Sequence, residues 1–208
     1  MQACFPALLL TMSTNLEIEH KTLLSLAEYD QLKRLFSHIT PVRQTNHYLD
    51  TKDLKLRKKK LALRIRTFDK SAEMTLKVPQ SVGNIEHNID LTSEEAALML
   101  KEKNIICSSV DLSEVCDILT ERGIDLSEIT EIGSLTTIRY EQQLDIGLAA
   151  LDKNDYMGHT DYELELEVDD NDQGKKDFYA FLKKNHIEYR FSRSKVVRFL
   201  DCLRHTRK

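Results

Sequence analysis

The stretch NLEIEHKT, Asn15–Thr22, sets Leu16, Ile18 and His20 against Glu17, Glu19 and Lys21 in strict alternation. In an extended strand, residues two apart share a face, so three charged side chains line one side and the less polar ones line the other. Two readings fit. Antiparallel strands routinely rest an apolar face on a core and leave a polar face in water. Alternatively, the charges face an enclosed interior and the apolar residues meet covering helices.

Other segments repeat the pattern: LALRIRTF from Leu61, AEMTLKVP from Ala72, NIEHNIDL from Asn84, SLTTIRYEQQL from Ser134, DIGLAALD from Asp145 and DYELELEVD from Asp161. Their polar faces gather Arg64 with Arg66, Glu73 with Thr75 and Lys77, Glu86 with Asn88 and Asp90, and Thr137 with Arg139 and Glu141. Asp161, Glu163, Glu165 and Glu167 run along one face of a single strand. Such a run repels itself unless facing cations compensate it. Arg64, Arg66, Lys77 and Arg139 are available to do so.

Between the strands lie amphipathic helices. Ser25 with Glu28 forms a capping-box pattern ahead of a helix to about His38, and Thr92 with Glu95 opens a second. VDLSEVCDILTER is a third, stopped by Gly123. Asp172 caps a helix through FYAFLKKN, SRSKVVRFLDCLR closes the chain, and the Lys-rich KDLKLRKKK reads as a short solvated helix. The apolar stripes of these helices need a partner. If they cover the outside of a closed sheet, the charged faces point inward. Burying so much charge is costly without a bound metal and polyanion to compensate it.

The chain has 208 residues, 41% hydrophobic and 31% charged, with a formal net charge of −4. That balance gives no general attraction to DNA or to an anionic membrane, so any anion must be held by a focused site. The four cysteines, Cys4, Cys107, Cys116 and Cys202, form neither a CxxC pair nor a metal-type spacing, which fits a reducing cytoplasm; Cys107 and Cys116 read as helix-packing residues. The apolar start lacks a basic lead, is broken by Pro6 and is too short to span a membrane. Residues 1–13 are read as a disordered extension or a mis-assigned start, ahead of a single domain over 14–208. Neither a GxxxxGK[ST] phosphate loop nor an HExxH zinc motif occurs, and His20 and His87 fall on the outward faces.

EIEHK, Glu17–Lys21, resembles the ExExK signature of CYTH proteins, the triphosphate tunnel metalloenzymes. These include thiamine triphosphatases, inorganic triphosphatases and a class of adenylate cyclases. YLDT (Tyr48–Thr51), LRIR (Leu63–Arg66), TLK (Thr75–Lys77), TIR (Thr137–Arg139), LD (Leu151, Asp152), ELELE (Glu163–Glu167) and SK (Ser194, Lys195) follow in the family's order. The similarity spans Leu16 to Leu203. An Arg-x-Glu pairing that many relatives show is missing between Asn84 and Asp90.

The resemblance implies an α+β fold: a closed, eight-stranded antiparallel β tunnel with a charged interior, covered outside by helices. It places Glu17, Glu19, Asp152, Glu165 and Glu167 on the side of a divalent metal, Mg²⁺ or Mn²⁺. Lys21, Arg64, Arg66, Lys77, Arg139 and Lys195 fall on the phosphate side, with Glu86 and Glu163 as further lining candidates. Lys21, Glu19 and Arg64 are the residues expected to carry catalysis. The implied activity is metal-dependent hydrolysis of a small-molecule triphosphate by a cytoplasmic monomer or homodimer. Adenylate cyclase activity, and non-catalytic binding of polyphosphate or of the triphosphorylated end of RNA, are the alternatives.

Overall fold

The opening strand breaks at Ile18, and that break shapes the sheet. In the computed structural model, which describes residues 12–101 and 111–206, β1 (Met12–Glu17) and β2 (Glu19–Leu24) are separate strands with different partners. β3 (Val42–Thr51), β4 (Ala62–Thr67), β5 (Ala72–Pro79) and β6 (Asn84–Leu91) follow, then β7 (Ile129–Leu144), β8 (Gly147–Tyr156) and β9 (His159–Glu167). All pairings are antiparallel, in the order β1-β6-β5-β4-β3-β7-β8-β9-β2.

The sheet is therefore an open half-barrel of nine strands, which corrects the expected closed barrel of eight. The cause is local. Glu17 is the last residue to pair with β6, opposite Asn84, and Glu19 is the first to pair with β9, opposite Glu167. Ile18 lies between the two ladders, buried, with its carbonyl accepting the Val168 N–H at 2.9 Å. One residue thus joins the two sheet edges through the chain, where a closed barrel would join them through hydrogen bonds.

Alternation along the strands separates apolar from charged side chains, and the helices take the apolar side. α2 (Lys55–Lys58), α3 (Ser93–Lys101) and α4 (Ser113–Glu121) belong to the half built on β3 to β6, where Leu63, Ile65, Met74, Leu76 and Ile89 form a core. α1 (Leu26–Leu35) and α5 (Asn171–Lys184) serve the other half, where Tyr29, Leu32, Phe36, Phe178 and Leu182 pack on Leu151, Leu164 and Leu166. Fully burying side chains of this size contributes roughly 1.5–3 kcal/mol each. Ser25 and Glu28 make the predicted capping box of α1. Helix α5 is capped by Asp170 and not by Asp172, because Asp170 reaches the Gln173 N–H at 2.7 Å and Asp172 already lies in the first turn.

Helix α6 (Lys195–Thr206) departs from the expectation that every helix covers the outside. Its Phe199 and Leu200 pack with Tyr48 and Leu135 in a third cluster. Tyr48 pairs with Arg64 and lines the same cavity, so α6 rests against the charged side of the sheet and introduces Lys195 there. Helix α2 is less solvated than its lysines suggest, since Leu56 is buried in the outer core. Residues 12 and 13 of the expected extension belong to β1; residues 1–11, and Cys107, lie outside the described residues. Cys116 packs against the outer core, as expected. No helix among the described residues is long and apolar enough to cross a membrane.

Gly83, at φ +71°, lies directly beneath the break, and a Cβ there would sit 2.2 Å from the Glu17 carbonyl oxygen. Strain of that kind typically costs about 1–3 kcal/mol. Gly83→Ala is therefore expected to lower the free energy of unfolding by about that amount in urea titration; an unchanged midpoint would mean that the β1 edge is free to move.

Candidate active site

Strand parity brings the predicted residues together. All of them except Asp152 and Glu163 line a single cavity of about 550 Å³, bounded by β1 to β7, β9 and the start of α6; Glu163, expected on the lining, is fully buried. Asp152 is fully buried just behind its wall.

The side nearest α6 is a closed network of charge. The Arg139 guanidinium donates to both oxygens of Asp152, at 2.9 and 2.7 Å, and to Glu165 at 2.6 Å. The Lys195 ammonium lies 2.9 Å from Asp152, 2.8 Å from Glu163 and 2.7 Å from Glu165. Behind it, Arg198 grips both Glu163 oxygens at 2.9 Å and Asp161 at 2.8 Å, while Ser192 donates to Glu163. Burial opposes every charge here, but the partners win. Lys195, Arg139, Glu165 and Asp152 are all shifted toward their charged forms: Lys195 and Arg139 upward beside the carboxylates, Glu165 and Asp152 downward beside the cations.

A second region is poor in cations. Lys77 holds Glu17 and Glu86, each at 2.5 Å, and Lys21 pairs with Glu19. Glu167, opposite Glu19 across the β2–β9 ladder, has no ion-pair partner among the described residues. Burial, with Glu86 and Glu19 nearby, pushes the Glu167 carboxyl up; burial and the neighbouring Glu19 and Glu86 do the same to Glu17 despite Lys77. Lys21 is held above the usual lysine range because Glu19, Glu165 and Glu163 outweigh its burial.

A third region is rich in cations. Burial, Arg64 and Arg139 push Arg66 down to about 9, with Glu73 at 3.1 Å giving only part of the compensation. A guanidinium remains protonated at neutral pH even so, which makes this a charge in want of an anion. Glu73 lies 3.8 Å from Arg64 as well. The Arg64 Nε–H and the hydroxyl of its cross-strand neighbour Thr75 are buried with no hydrogen-bond partner among the described residues. Buried donors in native proteins nearly always have an acceptor.

The sequence reading gave no role to Asn46, which accepts from Arg66 at 3.0 Å, or to Arg198 and Arg57; it set Glu73 on a polar strand face without a partner and read Lys60 as part of a solvated helix end. Gln44, Asn46, Tyr48 and Asp50 share one face of β3, so the alternation contained a signal for Asn46. Glu86 does enter the cavity, although its sequence context departs from the family pattern. His20 and His87 point outward, to the Asn171 carbonyl at 3.1 Å and to Glu114 at 2.8 Å.

The family profile of the CYTH domain matches residues 15–200. This chain belongs to the CYTH domain family. The CYTH protein is 32% identical over 192 residues to YjbK of Bacillus subtilis (strain 168), provisionally named a triphosphatase; the match covers 91% of this chain and 97% of YjbK. A Bacillus halodurans protein provisionally named an adenylate cyclase is 34% identical, with a TM-score of 0.80 over 89% of this chain and 98% of its own. HpAC1 from Hippeastrum, a provisional adenylyl cyclase described as having dominant triphosphatase activity, shares the fold at 24% identity and a TM-score of 0.73, over 89% of this chain and 95% of its own.

The donors in the cation-poor region are hard carboxylate oxygens, the chemistry that Mg²⁺ and Mn²⁺ select. Asp152, Glu163 and Glu165 also bring oxygens within 4.8 Å of one another, close enough for one cation. The residues present therefore fit a divalent ion. Because the Glu167 carboxyl is raised above 4.5 in the folded protein, its charge destabilises the fold once pH exceeds the folded value. Glu167→Gln is expected to raise the thermal midpoint in chelator at neutral pH, with the gain fading as pH falls toward 4.5. A lowered midpoint at neutral pH would contradict the assignment.

Proposed function

We propose that this CYTH protein is a metal-dependent hydrolase of triphosphate-containing compounds, with inorganic triphosphate or thiamine triphosphate ahead of nucleotides. The observation that carries the reading is the cation-rich part of the cavity: Arg66 short of counter-charge beside Arg64, with the Arg64 Nε–H and Thr75 hydroxyl lacking acceptors. A polyphosphate in the cavity supplies the missing charge, and its oxygens accept from the guanidinium groups that line it. Similarity to YjbK supports the same reading.

Phosphoryl transfer depends mainly on positioning and on neutralising charge over the phosphate oxygens. Arg64, Arg66 and Arg139 each present a planar fork that takes two oxygens at once. Lys21 and Lys77 place compact charge by the scissile phosphate, and the raised Lys21 stays protonated at neutral pH. Glu17, Glu19, Asp152, Glu165 and Glu167 would hold Mg²⁺ or Mn²⁺, which when bound neutralises phosphate charge and makes water a better nucleophile. Glu19 orients the attacking water and accepts its proton as the oxygen bonds to the terminal phosphorus. The bond from that phosphorus to the bridging oxygen breaks, and the electron pair leaves with the diphosphate.

Similarity to the Bacillus halodurans protein favours one second reading, a cyclase in which the ribose 3′-oxygen of ATP replaces water. A purely binding role has less support, since anion binding alone does not need so many carboxylates in one cavity. The test is phosphate release from inorganic triphosphate, thiamine triphosphate and ATP with Mg²⁺, Mn²⁺ or chelator, measuring cyclic AMP in parallel. Arg64→Ala and Glu19→Gln are each expected to reduce turnover by about 100-fold or more. Wild-type turnover in Arg64→Ala would sink the clamp, and cyclic AMP as main product would favour the second reading.

A further inference from the structure

Among the described residues, each cation on the cavity wall has a carboxylate partner except Arg57 and Lys60. Both come from one short unit, α2 and the turn that follows it. Buried Asp50 fixes its start by accepting from the backbone N–H groups of Thr51, Leu56 and Arg57 at 2.7, 2.9 and 3.1 Å. Leu56, buried in the outer core, anchors its middle.

The end of the unit is unusual. The Leu61 N–H bonds to the Leu56 carbonyl and the Lys60 N–H to the Arg57 carbonyl, both at 2.9 Å, the pattern in which a helix ends on a left-handed residue. Glycine is the usual occupant, yet here it is Lys60, at φ 61°. His186 ends α5 in the same way, so what sets Lys60 apart is that it lines the cavity and has no counter-charge among the described residues.

Lys60 lies in the turn before β4, four residues ahead of Arg64, at the α2 end of the wall. A triphosphate gripped by Arg64 and Arg66 has no need of charge so far along the wall. Asp50 lines the same cavity, but its oxygens already accept from three backbone N–H groups, and the neighbouring Leu61, Leu63, Val197 and Leu200 carry no charge. An occupant of this part of the wall is therefore anionic, which ranks inorganic polyphosphate ahead of thiamine triphosphate between the two substrates proposed above. We propose that Arg57 and Lys60 form a second anion subsite, which takes the phosphate units of a linear polyphosphate longer than triphosphate. This rests on the triphosphate reading above for the position of the first units.

Calorimetric binding of inorganic triphosphate and tetraphosphate, in chelator and in Ca²⁺, separates the two ideas. Wild-type protein should bind tetraphosphate more tightly than triphosphate. The Arg57→Ala/Lys60→Ala variant should lose about tenfold in tetraphosphate affinity, the size of a charge-assisted contact, and change by less than about twofold for triphosphate. Lys60→Gly should raise the thermal midpoint by relieving the backbone, yet still weaken tetraphosphate binding. Equal losses for both chain lengths, no loss, or no wild-type preference for tetraphosphate would overturn the subsite alone. Wild-type protein that binds neither in either condition would overturn the triphosphate reading together with it.

Discussion

Lys195 sits among Asp152, Glu163 and Glu165, and much of the structure depends on that placement. Removing a charge from water costs several kcal/mol, and an uncompensated buried carboxylate would neutralise itself before it stayed charged. Asp152 and Glu163 have no exposure at all. Asp152 is held in its charged form because Arg139 and Lys195 reach it from β7 and α6, and Lys195 and Arg198 pair with Glu163. Lys195 and Arg198 both belong to α6, so the helix that closes the chain also completes the electrostatics of the sheet. Its Phe199 and Leu200, packed on Tyr48 and Leu135, hold the two cations at fixed depth.

The same interior explains why the apolar residues lie where they do. A sheet that turns its charged face inward has no central hydrophobic core to rely on. Apolar burial is displaced to the outer face, in one cluster beneath α2, α3 and α4 and another beneath α1 and α5. The break at Ile18 serves both demands. It leaves Glu17 beside Lys77 and sends Glu19 to the β9 edge opposite Glu167, while its own side chain joins the outer core.

Much of this was legible in the sequence because strand parity is rigid: once Glu17 faces inward, Glu19 and Lys21 must follow, and the same holds for Arg64 with Arg66 and Glu163 with Glu165. What parity cannot show is where a ladder changes partner. Glu17, Ile18 and Glu19 alternate without interruption, so the sequence predicts one strand, whereas the competing demands of β6 and β9 divide it. Arg198 stands three residues after Lys195, on the same side of a helix, but nothing local says that this helix meets the charged face of the sheet. Helix α2 is short and exposes Lys58, as its lysines predict, but its position is decided by Leu56 and by the Asp50 carboxylate seven residues before Arg57.

The cavity therefore holds three kinds of charge, and the distinction bears on how it works. Around Arg139 and Lys195 the ions satisfy one another, which fixes their side chains. Around Glu167 carboxylates outnumber cations, and around Arg66 the cations are short of anions. Two opposite deficits in one cavity of about 550 Å³ cannot both be relieved by moving side chains, because strand parity and the buried network hold them apart. Under the function proposed above, a complex of divalent metal with polyphosphate would relieve both at once, the cation answering the carboxylates and the phosphate oxygens answering the guanidinium groups. In that reading substrate and metal reinforce each other's affinity by the same factor.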